Sequence, residues 1–326
     1  MVTPLADLHV HLEAAISAEL LVQLAAHGDI ALPAGFGPEG FTWRDLGTFI
    51  EDYELLGQVI KTADDYGAVA LDYLSRAAAL GSIYVDFILS PAHGWMNGIR
   101  YGDLVNAVGA AVDEARAAHG ILGSLSLTAV RAPGAFFGPE IARRIVAEAV
   151  ARPHRLVRGF GIAGDTGFDD LASYAPAFQA ARAAGLVTRA HCGEGEGVKG
   201  VIAALDVLRV DILDHATDAL ADPVVVKRLV SEQRLVTVCP MAHVFVGVVP
   251  TLAAHPAWPA LRAGLKAAFG TDDPIFFRVD IAETYGQVAA HTGLQPAALA
   301  SFTRNALTSG LLDEKDAAAG LCVLKF

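Results

Sequence analysis

Apolar and polar positions along this chain follow two rhythms. Short runs rich in Val, Ile, Leu and Phe recur over 5–11, 83–89, 123–130, 156–163, 186–192, 212–215, 235–239 and 267–271. Each is bounded by glycine or polar residues, which predicts eight strands. The stretches between them are Ala- and Leu-rich and read at a helical period. Ser17 stands where it can cap a helix through Leu20, Leu21 and Leu24. Asp222-Pro223 reads as an N-cap with proline in the first turn, and Gly120 and Gly185 sit where helices end just before a strand. Alternating strands and helices predict a parallel sheet. Eight strands point to a closed (β/α)8 TIM barrel, because a doubly wound sheet usually has about five to seven strands. The glycine-rich dinucleotide fingerprint is absent after the first strand. The segment from about 31 to 80 exceeds one loop–helix unit and predicts extra helices over the C-terminal mouth. Segments 33–38 and 131–139 are loop-like but too short to divide the chain, so one domain over 1–326 is expected.

Composition supports a packed core. Hydrophobic residues make up 53% of the 326 positions and charged residues 18%, too apolar for disorder. Mean hydropathy is +0.42. No apolar run escapes interruption by charge, Gly or Pro long enough to reach the roughly 18–20 residues of a membrane span. The opening Met1-Val-Thr-Pro-Leu-Ala-Asp7 has neither a basic start nor an apolar stretch, so no signal peptide is expected. A net charge of −12 without a Lys/Arg cluster argues against nucleic acid as a partner. Cys192, Cys239 and Cys322 are too widely spaced for a disulfide framework or a CxxC site, and a cytoplasmic location is expected. Nothing in the pattern sets oligomeric state, which leaves a homo-oligomer open.

Barrel enzymes carry their active site at the C-terminal ends of the strands. Metal-capable residues gather there. His9 and His11 close the first strand, His191 the fifth with Glu194 just beyond, His215 the sixth, and Asp272 and Asp273 follow the eighth. His9 and His11 are two apart on a strand and share a face, so both imidazoles can reach one ion. Two adjacent carboxylates ending an apolar strand need a cation, or an arginine for one of them. Three histidines and an aspartate with room for a water suit zinc, one per chain, which brings a water's pKa to about 7. The remaining histidines are His27, His93, His119, His154, His243, His255 and His291. They mostly fall in predicted helices or loops and are expected at the surface. His93 and His243, which follow strands two and seven, could also line the pocket.

Six segments run in a familiar order over nearly the whole chain. They are Asp7-Leu-His-Val-His-Leu-Glu13, Gly161-Ile-Ala-Gly-Asp165, His191-Cys-Gly-Glu194, Asp214-His215, Val238-Cys-Pro240 and Thr271-Asp-Asp-Pro274. With them the chain resembles the adenosine deaminase family, within the amidohydrolase barrel superfamily. The resemblance implies hydrolysis of an adenine-type purine to the 6-oxo purine and ammonia, with water as co-substrate. It implies zinc on His9, His11, His191 and Asp272. Glu194 would protonate the ring nitrogen beside the attacked carbon, where attack pushes negative charge. His215 and Asp273 would orient the metal-bound hydroxide, and the Gly164 N–H would meet the far edge of the purine. Four departures are visible: Ala14 for a usual Gly, Glu13 for the Asp that meets the ribose 5′-hydroxyl, Asp214-His215-Ala216 for Gly-His-Gly, and Ile88 for an Arg near the end of strand two. Glu13 and Asp214 look more like the adenine deaminase branch. One methylene more at Glu13 shifts its carboxylate by about 1.5 Å, enough to lose or exchange a substrate hydrogen bond. Adenosine or a modified adenine nucleoside is the first expectation and free adenine the alternative.

Other chemistries fit less well. A two-metal amidohydrolase would resemble relatives with a carboxylated lysine at the end of strand four, and 156–163 has no lysine. His11-Leu12-Glu13 matches the H-x-E of another zinc deaminase class, but no P-C-x-x-C follows. A retired barrel serving as a binding protein would show a lost ligand or a lost Glu194, and none is lost.

Overall fold

The computed structural model describes residues 3–324 apart from 34, 39, 42–45 and 166. The first two residues of the N-terminal reading, and those at 34, 39 and 42–45 in the predicted insert, lie outside the described residues. The eight strands are β1 (Leu5–His11), β2 (Ser82–Leu89), β3 (Leu122–Arg131), β4 (Val157–Gly164), β5 (Val187–Cys192), β6 (Ile212–His215), β7 (Leu235–Val238) and β8 (Ala267–Phe269). They lie parallel in chain order. A parallel bridge between Val10 and Asp272 joins the last strand's end to the first. There the His11 N–H donates to the Asp272 carbonyl at 2.9 Å, and the Asp272 N–H to the His9 carbonyl at 2.8 Å. The ring is thus an eight-stranded TIM-type barrel, and its seam is made by the backbone of three predicted site residues.

The helices begin and end where local chemistry demands. Ser17 accepts from the Leu20 N–H, and Asp222 from the Val224 N–H. Gly120 ends its helix at φ +73° and Gly185 turns at φ +79°, conformations that cost other residues a Cβ clash. Beyond β1, the helices Leu46–Val59 and Ala63–Ala79 form the predicted insert. Thr62 and Asp65 make a reciprocal capping box at the start of the second. Tyr73 from that helix donates to Asp7 Oδ2 at 2.5 Å, tying the insert to the first strand. No helix among the described residues is long and apolar enough to cross a membrane.

The barrel interior is layered. At its base Ala6, Leu8, Tyr84, Ile212, Leu235 and Ala268 pack with Leu307, Leu311 and Leu324 from the C-terminal segment. A buried polar layer follows. Arg189 donates from Nε and Nη2 to both oxygens of Asp214 at 2.9 and 2.7 Å, and from Nη1 to Asp86 Oδ2 at 2.6 Å. Its Nη2 also reaches the Leu8 carbonyl at 3.0 Å. Ser124 and Ser126 donate to Asp86. Every charge in this layer has a partner, which is what makes its burial tolerable. Glycines make the room: a Cβ on Gly161 would stand 2.6 Å from Arg189 Cγ, and one on Gly159 2.3 Å from Ser126 Oγ. Between Asp7 and Val10 the β1–β2 register slips by one residue. This bulge lets Leu8 join the basal cluster while the next residue, His9, already faces the polar layer.

Candidate active site

Four side chains converge at the mouth. His11 Nε2 lies 3.1 Å from His191 Nε2 and 3.4 Å from Asp272 Oδ1, and His9 Nε2 lies 3.6 Å from the same oxygen. Four ligands placed tetrahedrally at zinc-like distances stand about 3.3 Å apart, so this spacing fits one small divalent cation. The His9 Nε2 atom is buried with no hydrogen-bond partner among the described residues. Its other nitrogen is spoken for: Thr237 Oγ1 gives its proton to Asp214 Oδ1 at 2.6 Å and so accepts from His9 Nδ1 at 3.0 Å. In neutral His9 the remaining proton is thereby placed on Nδ1, which turns the Nε2 lone pair to the cage, as metal ligation requires. Asp214 thus supports His9 from the polar layer, as well as pairing with Arg189.

The cage is strongly anionic. Burial alone would lower the His9 pKa, yet the carboxylates of Asp214 and Asp272 raise it to about 9. Burial, joined by repulsion from His9, instead lowers His11 to about 4 and His191 well below its ordinary value. Burial pushes Asp272 upward, but His9, 3.6 Å away, and the surrounding imidazoles hold it well below the usual carboxylate range. Its neighbour Asp273 goes the other way, raised by burial and then by the Asp272 charge. Asp273 Oδ1 is buried with no hydrogen-bond partner among the described residues. A field that holds a proton on His9 is one that would hold a cation. His215 and Asp272 have left-handed backbones, at φ +67° and +66°, a strain of about 1–2 kcal/mol each that sits at the site's own residues.

Glu194, His215 and Asp273 border this cage. Glu194 Oε2 is 3.5 Å from His215 Nε2. Burial first, and the Asp272 charge second, raise the Glu194 pKa to about 8, so the carboxyl keeps its proton at neutral pH. The Gly193–Gly197 loop that carries Glu194 is pinned at several points. Asp218 Oδ2 accepts from the Gly195 and Gly197 N–H groups, each at 2.8 Å, and Glu196 Oε1 from the Gly193 N–H at 2.9 Å. Arg131, buried at the end of β3, lies 3.8 Å from Glu196 and donates to Asp169 Oδ1 at 2.8 Å. It therefore joins the loops after β4 and β5. Sequence reasoning missed Arg131, Asp218 and Arg189, whose partners lie far along the chain.

Glu13 is buried just past β1, with Oε1 3.2 Å from His93 Nδ1. Tyr53, from the insert, sits 6.1 Å from the His93 ring and stacks on Phe276 at 5.7 Å. Gly164 ends β4 at φ +94°, exposed, and a Cβ there would meet the Arg131 carbonyl at 2.8 Å. Ile88 is buried and pairs in register with His11, and Ala14 is buried beside it in the chain's first turn after β1. The surface expectation is overturned for His255, while His243, also a candidate pocket residue, stands behind His215 and 3.9 Å from Glu194. His243 and His255 are buried, because they form a hydrogen-bonded row behind His215: His215 Nδ1 to His243 Nε2 at 2.9 Å and His243 Nδ1 to His255 Nε2 at 2.8 Å.

Comparison with known proteins agrees with this geometry. The family model described as adenosine deaminase matches residues 4–321. An adenine deaminase of Chelativorans sp. (strain BNC1) is 33% identical over 320 residues, covering 98% of this chain and 97% of that relative. A crystal structure of adenine deaminase from Arthrobacter aurescens superposes with a TM-score of 0.87 at 28% identity, over 99% of this chain and 98% of that one. An amidohydrolase from Burkholderia ambifaria, solved with bound Zn, gives a TM-score of 0.87 at 26% identity over 98% and 89% of the two chains.

Proposed function

The chain belongs to the adenosine deaminase family, hydrolases that act on the amino group of adenine-type purines, and from that premise we propose that it deaminates free adenine using one zinc ion per chain. The observation that carries the reading is the cage of His9, His11, His191 and Asp272 with Glu194 at its edge, 3.5 Å from His215. The relatives' names move the weight from adenosine, the first expectation, to adenine. Glu13 supports the same choice. The position that would meet a ribose 5′-hydroxyl holds a longer carboxylate, buried with Oε1 3.2 Å from His93 Nδ1, so one of its oxygens is already engaged by protein.

His9, His11, His191 and Asp272 would hold the zinc, which when bound supplies a Lewis acid able to generate hydroxide near neutral pH. The chain's own groups do the rest. Glu194 donates its proton to the ring nitrogen beside C6, where the electron pair displaced by attack arrives. His215 and Asp273 orient the attacking oxygen. Gly164 offers its N–H to the opposite edge of the purine. Water adds at C6, the C6–N bond breaks, and the products are hypoxanthine and ammonia. Water and a small purine are the partners; the net charge of −12 argues against nucleic acid. The three unpaired cysteines, two of them buried, favour a cytoplasmic setting.

A panel of adenine, adenosine, deoxyadenosine, methylthioadenosine and N6-methyladenine, read by ammonia release, tests the substrate. Adenine is expected to give the highest kcat/KM, and a larger value for any nucleoside overturns the choice. Glu194→Gln should retain its metal and lose about 10²- to 10⁴-fold in kcat. Near-normal turnover in that variant removes Glu194 from the acid role.

A further inference from the structure

The row of histidines behind the site has a direction, and its far end sets it. Ala257 donates its backbone N–H to His255 Nδ1 at 3.1 Å, and an amide N–H can only donate. His255 Nδ1 is therefore bare and the ring's proton sits on Nε2. That proton is given to His243 Nδ1 at 2.8 Å, which leaves the His243 proton on Nε2. His243 Nε2 in turn donates to His215 Nδ1 at 2.9 Å. All three rings are buried, so no solvent interrupts the row. The Thr217 hydroxyl stands 3.2 Å from both nitrogens of His243, farther than either ring partner, and is the weaker contact at each. His243 Nε2 also lies 3.9 Å from Glu194 Oε1, which suits an N–H there. His255 is itself held against Trp258, ring centroids 5.1 Å apart, and the Trp258 indole N–H is tied to the Leu252 carbonyl.

We propose that His243 and His255 are positioning residues that fix His215 in its Nε2–H tautomer, so that His215 faces the reaction centre as a hydrogen-bond donor. Both of its nitrogens are committed: Nε2 carries the proton, and Nδ1 accepts from His243. In that tautomer His215 donates to the attacking oxygen. The row itself stands whatever the substrate; its consequence for the reaction rests on the deaminase reading.

Long-range 1H–15N correlation on zinc-loaded protein labelled with 15N-histidine reads which ring nitrogen carries each proton. Single His→Gln variants assign the signals. His215, His243 and His255 are expected all to carry the proton on Nε2 near neutral pH. An Nδ1–H His215, or a doubly protonated one, overturns the proposal even if the enzyme is fully active. Absence of ammonia from every purine would instead strike the deaminase reading and leave the tautomers to be judged on their own. In kinetics, His255→Phe removes the donor to His243 and should lower kcat about tenfold with KM nearly unchanged. His255→Gln, whose amide can still donate, should recover most of the loss. Equal kcat in the Phe and Gln variants contradicts the directional role.

Discussion

Glu194 shows how much of this site is decided by surroundings and how little by residue type. Its pKa rises from an ordinary 4.5 to about 8, through burial and then the Asp272 charge. A group whose folded pKa is raised favours the folded state most when protonated. Its contribution is full below the unfolded value near 4.5 and is lost as pH climbs through about 8. Glu194→Gln removes that dependence. In metal-free protein, the variant's thermal stability should therefore gain on the parent between pH 4.5 and 8 and level off above. A difference that does not change with pH over that range contradicts the shift. The residues that converge beside Glu194 were legible in the sequence because H-x-H on a strand, a histidine at a strand end and paired aspartates are local patterns. His243 and His255 were not. Their partners are 28 and 12 positions away, and nothing in the flanking residues separates a buried ring from an exposed one.

At the level of strands and helices the period-two and helical rhythms were readable, and the strand limits fall within about two residues of expectation. What could not be read was the bulge in β1 and the polar layer it serves, since both arise from how strands are aligned across the barrel. Glycine was the faint trace of that layer. Gly159 and Gly161 alternate on β4 because Ser126 and Arg189 fill the space a side chain would need. A Cβ on Gly161 also meets the Arg189 carbonyl at 2.8 Å, and backbone cannot swing away. Gly161→Ala is expected to cost at least about 1–3 kcal/mol in chemical denaturation and to weaken metal retention through Asp214. A variant as stable as the parent means that Arg189 is not wedged where the structure has it.

For the molecule as a whole, ring closure and metal binding share the same residues. The hydrogen bonds at the seam run from His11 to Asp272 and from Asp272 to His9, all three of them proposed ligands. Chelation should lower Tm and speed hydrogen exchange at the His11 and Asp272 amides more than at those in the centre of β3. Uniform protection before and after chelation contradicts the coupling. Because the empty cage keeps a proton on His9 up to about pH 9, loading must displace it. Apparent metal affinity should rise between pH 6 and 9, with net proton release measurable in weakly buffered solution. An affinity that is flat over that window would show that His9 starts out neutral.

The bridge from Val10 to Asp272 also has a temporal side. In order of synthesis His9 and His11 precede His191, and Asp272 comes last of the four proposed ligands. Until residue 272 has left the exit tunnel, no strand exists to close the ring or to lend its carboxylate. The proposed four-residue grip on a cation is therefore complete only once the ring can close.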